Sequence, residues 1–213
     1  MPVILPGQTD IYALTDARLS CGRTLETVVS ALLGAGVKII QYREKHMKSG
    51  EMLEECRLMR RLTREARACF IVDDHVDLAI LAEADGVHIG QEDFPLPAVR
   101  QLVGPDMCIG LSTHSPEQAK AAVAVGADYI GVGPIFATKT KEDVVAPVGF
   151  DYLDWVAANI TIPFVAIGGI KEHNIADVAR HGARCCALVS ELVGAPDIAA
   201  KVQAVRAAMH QGM

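Results

Sequence analysis

Aromatic residues are scarce in this chain, at 5% of 213 positions, so Val, Ile, Leu and Ala must fill its core. Positive charge is scarce as well. Lys and Arg number 20 against 26 Asp and Glu, a net charge of −6. That balance argues against nucleic acid or an anionic membrane as the main partner, while leaving room for a local basic pocket. No apolar run approaches the ~20 residues of a membrane-spanning helix, and the opening MPVILPGQTD has neither the basic start nor the apolar centre of a signal peptide. The six Cys include no CxxC pair. Cys69, Cys108, Cys185 and Cys186 fall inside apolar runs, where Cys behaves as a small hydrophobe, so the set reads as reduced thiols of a cytoplasmic protein. No linker or low-complexity segment interrupts the chain, which implies one domain over 1–213.

What is present is one repeating pattern: a short apolar run, a polar loop, then a helix-like segment. The strand candidates are 11–15, 37–43, 69–73, 85–89, 108–112, 128–133, 163–168 and 185–190. Between them, Thr24 is placed to cap a helix in TLETVVSALLGAG, with Glu26 in the first turn. In SPEQAKAAVAVGA, Ser115 caps, Pro116 suits the first helical position and Gln118 completes a capping box. EHNIADVARHGA and PDIAAKVQAVRAAMH also carry helical apolar spacing. Strands alternating with helices imply right-handed crossovers and a parallel sheet, and eight units in a row favour closure as an α/β (β/α)8 TIM barrel. The rival, an open doubly wound sheet binding a dinucleotide, would want a GxGxxG turn after an early strand, and none occurs.

In such a barrel the chemistry sits at the C-terminal strand ends, and these ends are polar. Side chains alternate along a strand, so Gln41, Arg43 and Lys45 of QYREK share one face, an amide, a guanidinium and an ammonium suited to a multiply charged anion; a solvated loop is the plainer alternative. Asp73, Asp74 and Asp93 follow the next two strands. They could share one Mg2+, which takes one or two carboxylates plus substrate phosphates, or they could simply cap the following helices. Ser112 closes the fifth strand with a hydroxyl, His114 lies just before a capped helix, and His88 reads as an internal polar residue with a hydrogen-bonding partner. Gly169 after the seventh strand and Ser190 after the eighth fit a barrel phosphate site, where a glycine lets backbone N–H groups approach closely. Two anion sites on one mouth suggest two phosphorylated small-molecule substrates joined side by side.

The stretches YALTD, QYREK, VDDHVDLA, ADGVHIGQED, GLSTHS, GADYIGVGPIFATKTK and VAIGGI, in this order along nearly the whole chain, resemble thiamine phosphate synthase. The resemblance implies a Mg2+-dependent transferase that joins hydroxymethylpyrimidine diphosphate to thiazole phosphate, giving thiamine phosphate and diphosphate. Carried over by position, Gln41, Arg43 and Lys45 fall on the pyrimidine-diphosphate motif, together with the intervening Tyr42 and Glu44. Asp74 and Asp93 fall on the metal ligands, and Ser112 and Lys141 on further contacts to the diphosphate substrate. Thr138, Thr140, Gly169, Val189 and Ser190 fall on the thiazole phosphate site, with Lys139 beside them. Arg43, Lys45 and Lys141 would stabilise the leaving diphosphate in a dissociative substitution that needs no protein nucleophile, and the loop after Lys141 would cover the mouth. Asp73 stands where the family usually has Asn, and His75 where Arg is often found. Asp73 would weaken diphosphate binding or join the metal shell. Two alternatives stay open: a thiazole tautomerase-like isomerase, for which His114 would serve, and a non-catalytic barrel that binds a phosphate ligand. A homo-oligomer is compatible with everything in the sequence.

Overall fold

The structure is a computed structural model that describes residues 3–138, 140 and 145–213. Eight parallel strands close into a barrel in sequence order. They are β1 (Ile11–Leu14), β2 (Ile39–Tyr42), β3 (Cys69–Asp73), β4 (Gly86–Ile89), β5 (Cys108–Thr113), β6 (Tyr129–Val132), β7 (Phe164–Ile167) and β8 (Cys186–Leu188). Closure is made by β8 against β1, with Tyr12 opposite Ala187. Around this barrel lie α1 (Leu25–Gly34), α2 (Ser49–Ala66), α3 (Val76–Leu81), α4 (Leu96–Val103), α5 (Pro116–Ala124), α6 (Gly149–Asn159), α7 (Ile175–Arg180), α8 (Ser190–Val193) and α9 (Ile198–His210). Most strands are shorter than their apolar runs, because the last residues of a run leave the ladder to form the mouth. The run 185–190 is the clearest case: its ladder stops at Leu188, and Ser190 opens the short helix α8.

Alternation along the strands divides the apolar residues into two cores. Tyr12, Leu14, Ile39, Cys69, Ile71, Cys108, Tyr129, Val165, Cys185 and Ala187 fill the inside of the barrel, where Val3, Ile4 and Leu5 pack against them. Their neighbours one residue on, such as Ile40, Phe70, Val87 and Ile109, face outward and meet the helices. On α2 the buried Met52, Cys56, Met59 and Thr63 recur at steps of three and four, one face of a helix. With so few aromatics, the inside is packed by branched aliphatics and thiols. The strand cysteines are free and buried, as their apolar context implies.

Helix caps agree with the sequence in part. Thr24 accepts from the Thr27 N–H at 3.2 Å, and Ser115 accepts from the Gln118 N–H at 3.3 Å. The Gln118 side chain does not complete a box at Ser115; its Oε1 accepts from the His114 N–H at 2.7 Å, one residue earlier. Neither Asp73 nor Asp74 caps α3, whose N-cap is His75, and α4 begins after Pro95 with no side-chain cap from Asp93. The plainer role for these three acids therefore fails.

Candidate active site

At the C-terminal mouth, the ends of β1–β4 carry a cluster of charged side chains. Inward alternation on β2 runs Ile39, Gln41, Arg43, so the guanidinium enters the mouth one residue beyond the Tyr42–Val72 pair, next to the end of β3. Arg43 Nη1 lies 3.0 Å from Asp16 Oδ2, and both side chains are buried. The Arg43 N–H donates to Thr15 Oγ1 at 3.0 Å. Burying a guanidinium is tolerable only with such pairing, and the pairing holds it in one pose. Asp16 was missed in the sequence. It ends YALTD two residues beyond the inward Leu14, so the alternation that found Arg43 would also have found it.

Strand β3 ends unusually. On a regular strand Asp73 and Asp74 would face opposite sides, but Asp74 has φ +60°, in the left-handed region that Asp tolerates better than most residues. The Asp74 N–H donates to His88 O, and the His75 N–H to Asp73 O, which locks the turn. Both carboxylates thus reach Lys45. Its Nζ lies 3.0 Å from Asp73 Oδ2 and is also bonded to Asp74 Oδ2. Asp73 Oδ2 is 3.9 Å from Arg43 Nε. Burial, and then the charge of Asp74, push the Asp73 carboxyl up to about 6 despite the pull of Lys45 and Arg43. Asp93 is likewise raised, first by burial and then by the charge and contact of Asp74, against the Gly90 N–H that its Oδ2 accepts at 2.7 Å. Burial lowers Lys45, but Asp73 and Asp74 outweigh it and hold its ammonium above the ordinary value.

Three carboxylates therefore crowd one ammonium, while Nη1 of the nearby guanidinium is taken by Asp16. An anionic ligand would be repelled by this group unless a further cation joined it. The donor set, hard oxygens from adjacent strand ends, suits Mg2+. Among the described residues no group of three His, Cys, Asp or Glu side chains is arranged to hold a metal ion; a Mg2+ held by one or two carboxylates would take its remaining oxygens from substrate phosphates and water. Asp74 and Asp93, in contact with each other, fit that role.

Ser112 on β5 completes this half. Its Oγ lies 2.9 Å from His88 Nε2, and its carbonyl accepts from Gln91 Nε2 at 2.6 Å. Two members of QYREK point elsewhere. Tyr42 alternates outward, and its hydroxyl donates to Glu55 of α2 at 2.7 Å, beneath the helix layer. Glu44 Oε1 accepts the N–H groups of Lys45 and His46, both at 2.8 Å, so this carboxylate serves to shape the loop. His114 Nδ1 donates to Gly133 O at 2.6 Å, tying the ends of β5 and β6 together.

Among the described residues, the β6–β8 half presents backbone and small side chains, with an ion pair of Lys171 and Glu191 at 3.5 Å beyond them. Gly169 stands two residues beyond Ile167, which pairs with Ala187, and Val189 and Ser190 stand just beyond Ala187. Gly169 has φ +64°, and a Cβ there would come within 2.8 Å of Ala137 O. The strand end after β7 is thus pressed against the loop after β6. In that loop Thr138 Oγ1 donates to Thr140 Oγ1 at 3.3 Å. Ser190 is exposed at the first turn of α8. Lys139 and residues 141–144 lie outside the described residues, and with them the expectation of a loop over the mouth after Lys141.

With this geometry in place, the chain was compared with known proteins. The family model described as thiamine monophosphate synthase matches residues 11–192. The chain is 58% identical over 212 residues to the thiamine-phosphate synthase of Lawsonia intracellularis, covering 98% of each chain. It is 60% identical over 200 residues to that of Pelotomaculum thermopropionicum, covering 94% of this chain and 92% of the relative. Among solved structures, thiamine phosphate pyrophosphorylase from Pyrococcus furiosus superimposes with a TM-score of 0.87 at 35% identity, covering 96% of both chains.

Proposed function

The chain belongs to the thiamine monophosphate synthase family, and from that premise we propose that it is a transferase joining hydroxymethylpyrimidine diphosphate to thiazole phosphate, with release of thiamine phosphate and diphosphate. The observation that carries the reading to this chain's own residues is the cluster at the ends of β2–β4, where Lys45 is held by Asp73 and Asp74 beside a buried, pre-oriented Arg43. Such a cluster suits a diphosphate accompanied by a divalent cation. It has no evident use in an isomerisation.

In this reading Arg43 grips the diphosphate with the guanidinium edge left over from Asp16, and Lys45 turns from the aspartates to the leaving oxygens. Gln41 fixes the pyrimidine end, Ser112 bonds the diphosphate arm, and Lys141 adds charge from the β6 loop. Mg2+, held by Asp74 and Asp93, would neutralise charge on the leaving diphosphate. Gly169, Val189, Ser190, Thr138 and Thr140 hold the thiazole phosphate so that its ring nitrogen faces the pyrimidine methylene carbon. The carbon–oxygen bond to the diphosphate breaks, the pyrimidine ring carries the resulting cation, and the thiazole nitrogen captures it. No side chain is alkylated. The rate comes from positioning and from charges already in place. Five buried, unpaired thiols support a cytoplasmic location.

The test is a coupled diphosphate-release assay with both substrates across Mg2+ concentrations. Release that requires both substrates and the metal is expected. Folded protein that releases none would overturn the reading, and proton exchange on a thiazole carboxylate without Mg2+ would favour the isomerase.

A further inference from the structure

A row of five polar side chains crosses the barrel just beneath the mouth. Gln41 Nε2 donates to Tyr12 Oη at 3.0 Å, and Tyr12 Oη meets Tyr129 Oη at 2.9 Å. His88 Nδ1 lies 3.0 Å from Tyr129 Oη, and His88 Nε2 lies 2.9 Å from Ser112 Oγ. The row links β2, β1, β6, β4 and β5, and its two ends are the mouth residues Gln41 and Ser112. Both tyrosines are fully buried among apolar neighbours. Gly110 makes room for the row, since a Cβ there would lie 2.2 Å from Tyr129 Cζ and 2.5 Å from His88 Nδ1.

Proton counting gives this row a direction. An amide nitrogen only donates, a phenol has one proton to give, and a neutral imidazole carries a proton on one nitrogen. The Tyr12 hydroxyl accepts from Gln41, so its own proton goes to Tyr129. The Tyr129 proton must then go to His88 Nδ1. That leaves the imidazole proton on Nε2, where it donates to Ser112 Oγ. The Ser112 hydroxyl, already an acceptor from below, turns its proton up into the mouth. Burial raises both phenols well above their ordinary values, so each keeps the single proton that this count requires.

We propose that Tyr12, Tyr129 and His88 are positioning residues in a one-way hydrogen-bond chain that makes Ser112 a donor, and Gln41 Oε1 an acceptor, toward the diphosphate substrate. The use of the two ends rests on the function proposed above; the polarity of the row does not. The opposite polarity would turn the Ser112 proton inward and present a lone pair to an anion. Gln41 Oε1 then meets the amino group of the pyrimidine, while the Ser112 proton meets an oxygen of the diphosphate arm.

The test is long-range proton–nitrogen NMR of the histidine rings in the 15N-labelled protein without ligands, with His88 identified by loss of its signal in His88→Gln or, should that variant not fold, by its shift in Ser112→Ala. His88 is expected as the Nε2–H tautomer. Gln41→Glu supplies an acceptor in place of the donor and is expected to invert His88 to Nδ1–H, three hydrogen bonds away. Tyr12→Phe cuts the row and is expected to leave a mixture of tautomers. Tyr12→Phe should also raise KM for the diphosphate substrate about five- to tenfold, the worth of one hydrogen bond, with KM for the thiazole phosphate unchanged. A change of tautomer in either variant supports the chain. An Nδ1–H or doubly protonated His88 in the parent protein, or a His88 signature indifferent to both substitutions, overturns it. If the tautomer is as expected but the parent protein releases no diphosphate, the function fails and the polarity stands.

Discussion

At the N-terminal end of the barrel, Asp10, Asp85 and Asp128 each stand just before a strand, and each meets an arginine from a helix. Asp10 pairs with Arg206, Asp85 with Arg60 at 2.9 Å and Asp128 with Arg100 at 2.6 Å. Each also accepts a backbone N–H, from Ile11, Phe70 and Ile109. At the C-terminal end, Asp73, Asp74 and Asp93 crowd one lysine, and burial together with the charge of Asp74 pushes the Asp73 and Asp93 carboxyls upward. The same residue type closes the bottom, one acid to one guanidinium, and at the ends of β2–β4 outnumbers the positive charge among the described residues. Paired acids hold strands and helices together. Acids in excess mark where something cationic and something anionic must arrive together.

The largest break in that comparison should come from Asp93→Asn. The amide still accepts from Gly90 but carries no charge. Turnover in the diphosphate-release assay is expected to fall about 100- to 1000-fold, with the Mg2+ requirement moved to higher concentration and the thermal midpoint nearly unchanged. Near-normal turnover at low Mg2+ would remove Asp93 from the site.

The matching change at the bottom is Asp128→Ala. It leaves the Ile109 N–H and Arg100 Nη2 without their acceptor, while Arg100 Nη1 keeps the carbonyls of Gly104 and Met107, so urea denaturation should show a loss of about 1–3 kcal/mol. kcat/KM should stay within about twofold of the parent, since surface changes away from the mouth touch no reacting group. A large loss of kcat/KM with little loss of stability would show that the two ends are not divided as argued.

Between the two halves of the mouth, Gly169→Ala is the sharper probe. The added Cβ meets Ala137 O at 2.8 Å in a left-handed conformation, a strain of about 1–2 kcal/mol. KM for the thiazole phosphate should rise about tenfold, while KM for the diphosphate substrate stays fixed. If both rose together, the two sites would not be separable by strand.

The barrel and the order of its eight strands were legible because each apolar run is short and each is followed by a helical period. The inward-facing Gln41 and Arg43 were legible from alternation alone. Tyr42 was not, because a motif names consecutive residues while a strand sends them to opposite faces. The joint reach of Asp73 and Asp74 was hidden by a single left-handed residue that no periodicity encodes. Tyr12 and Tyr129 looked like core because they are core; only their hydroxyls, meeting across 117 residues of sequence, make them part of a polar row. Asp16 was legible but was passed over, as its strand ends in an ordinary loop.

The smallest effect belongs to the bottom pair, Asp10 and Arg206. Burial raises the Asp10 carboxyl, but the hydrogen bond and charge of Arg206 outweigh it and hold the group below its ordinary value. A carboxylate lowered in the folded state adds stability above its unfolded pKa of about 4, and loses it as pH falls through the folded value. Asp10→Asn can keep one acceptor oxygen on the Ile11 N–H while removing the charge and the second acceptor that Arg206 uses. It should therefore cost about 1 kcal/mol at neutral pH, the scale of a partly exposed ion pair, and the gap from the parent should close below about pH 4. Urea midpoints measured from pH 7 to pH 3 would follow this. A gap that stayed constant with pH would assign the contribution of Asp10 to the shape of its two-oxygen acceptor and not to its charge, and the bottom of the barrel would then be held by hydrogen-bond geometry more than by charge.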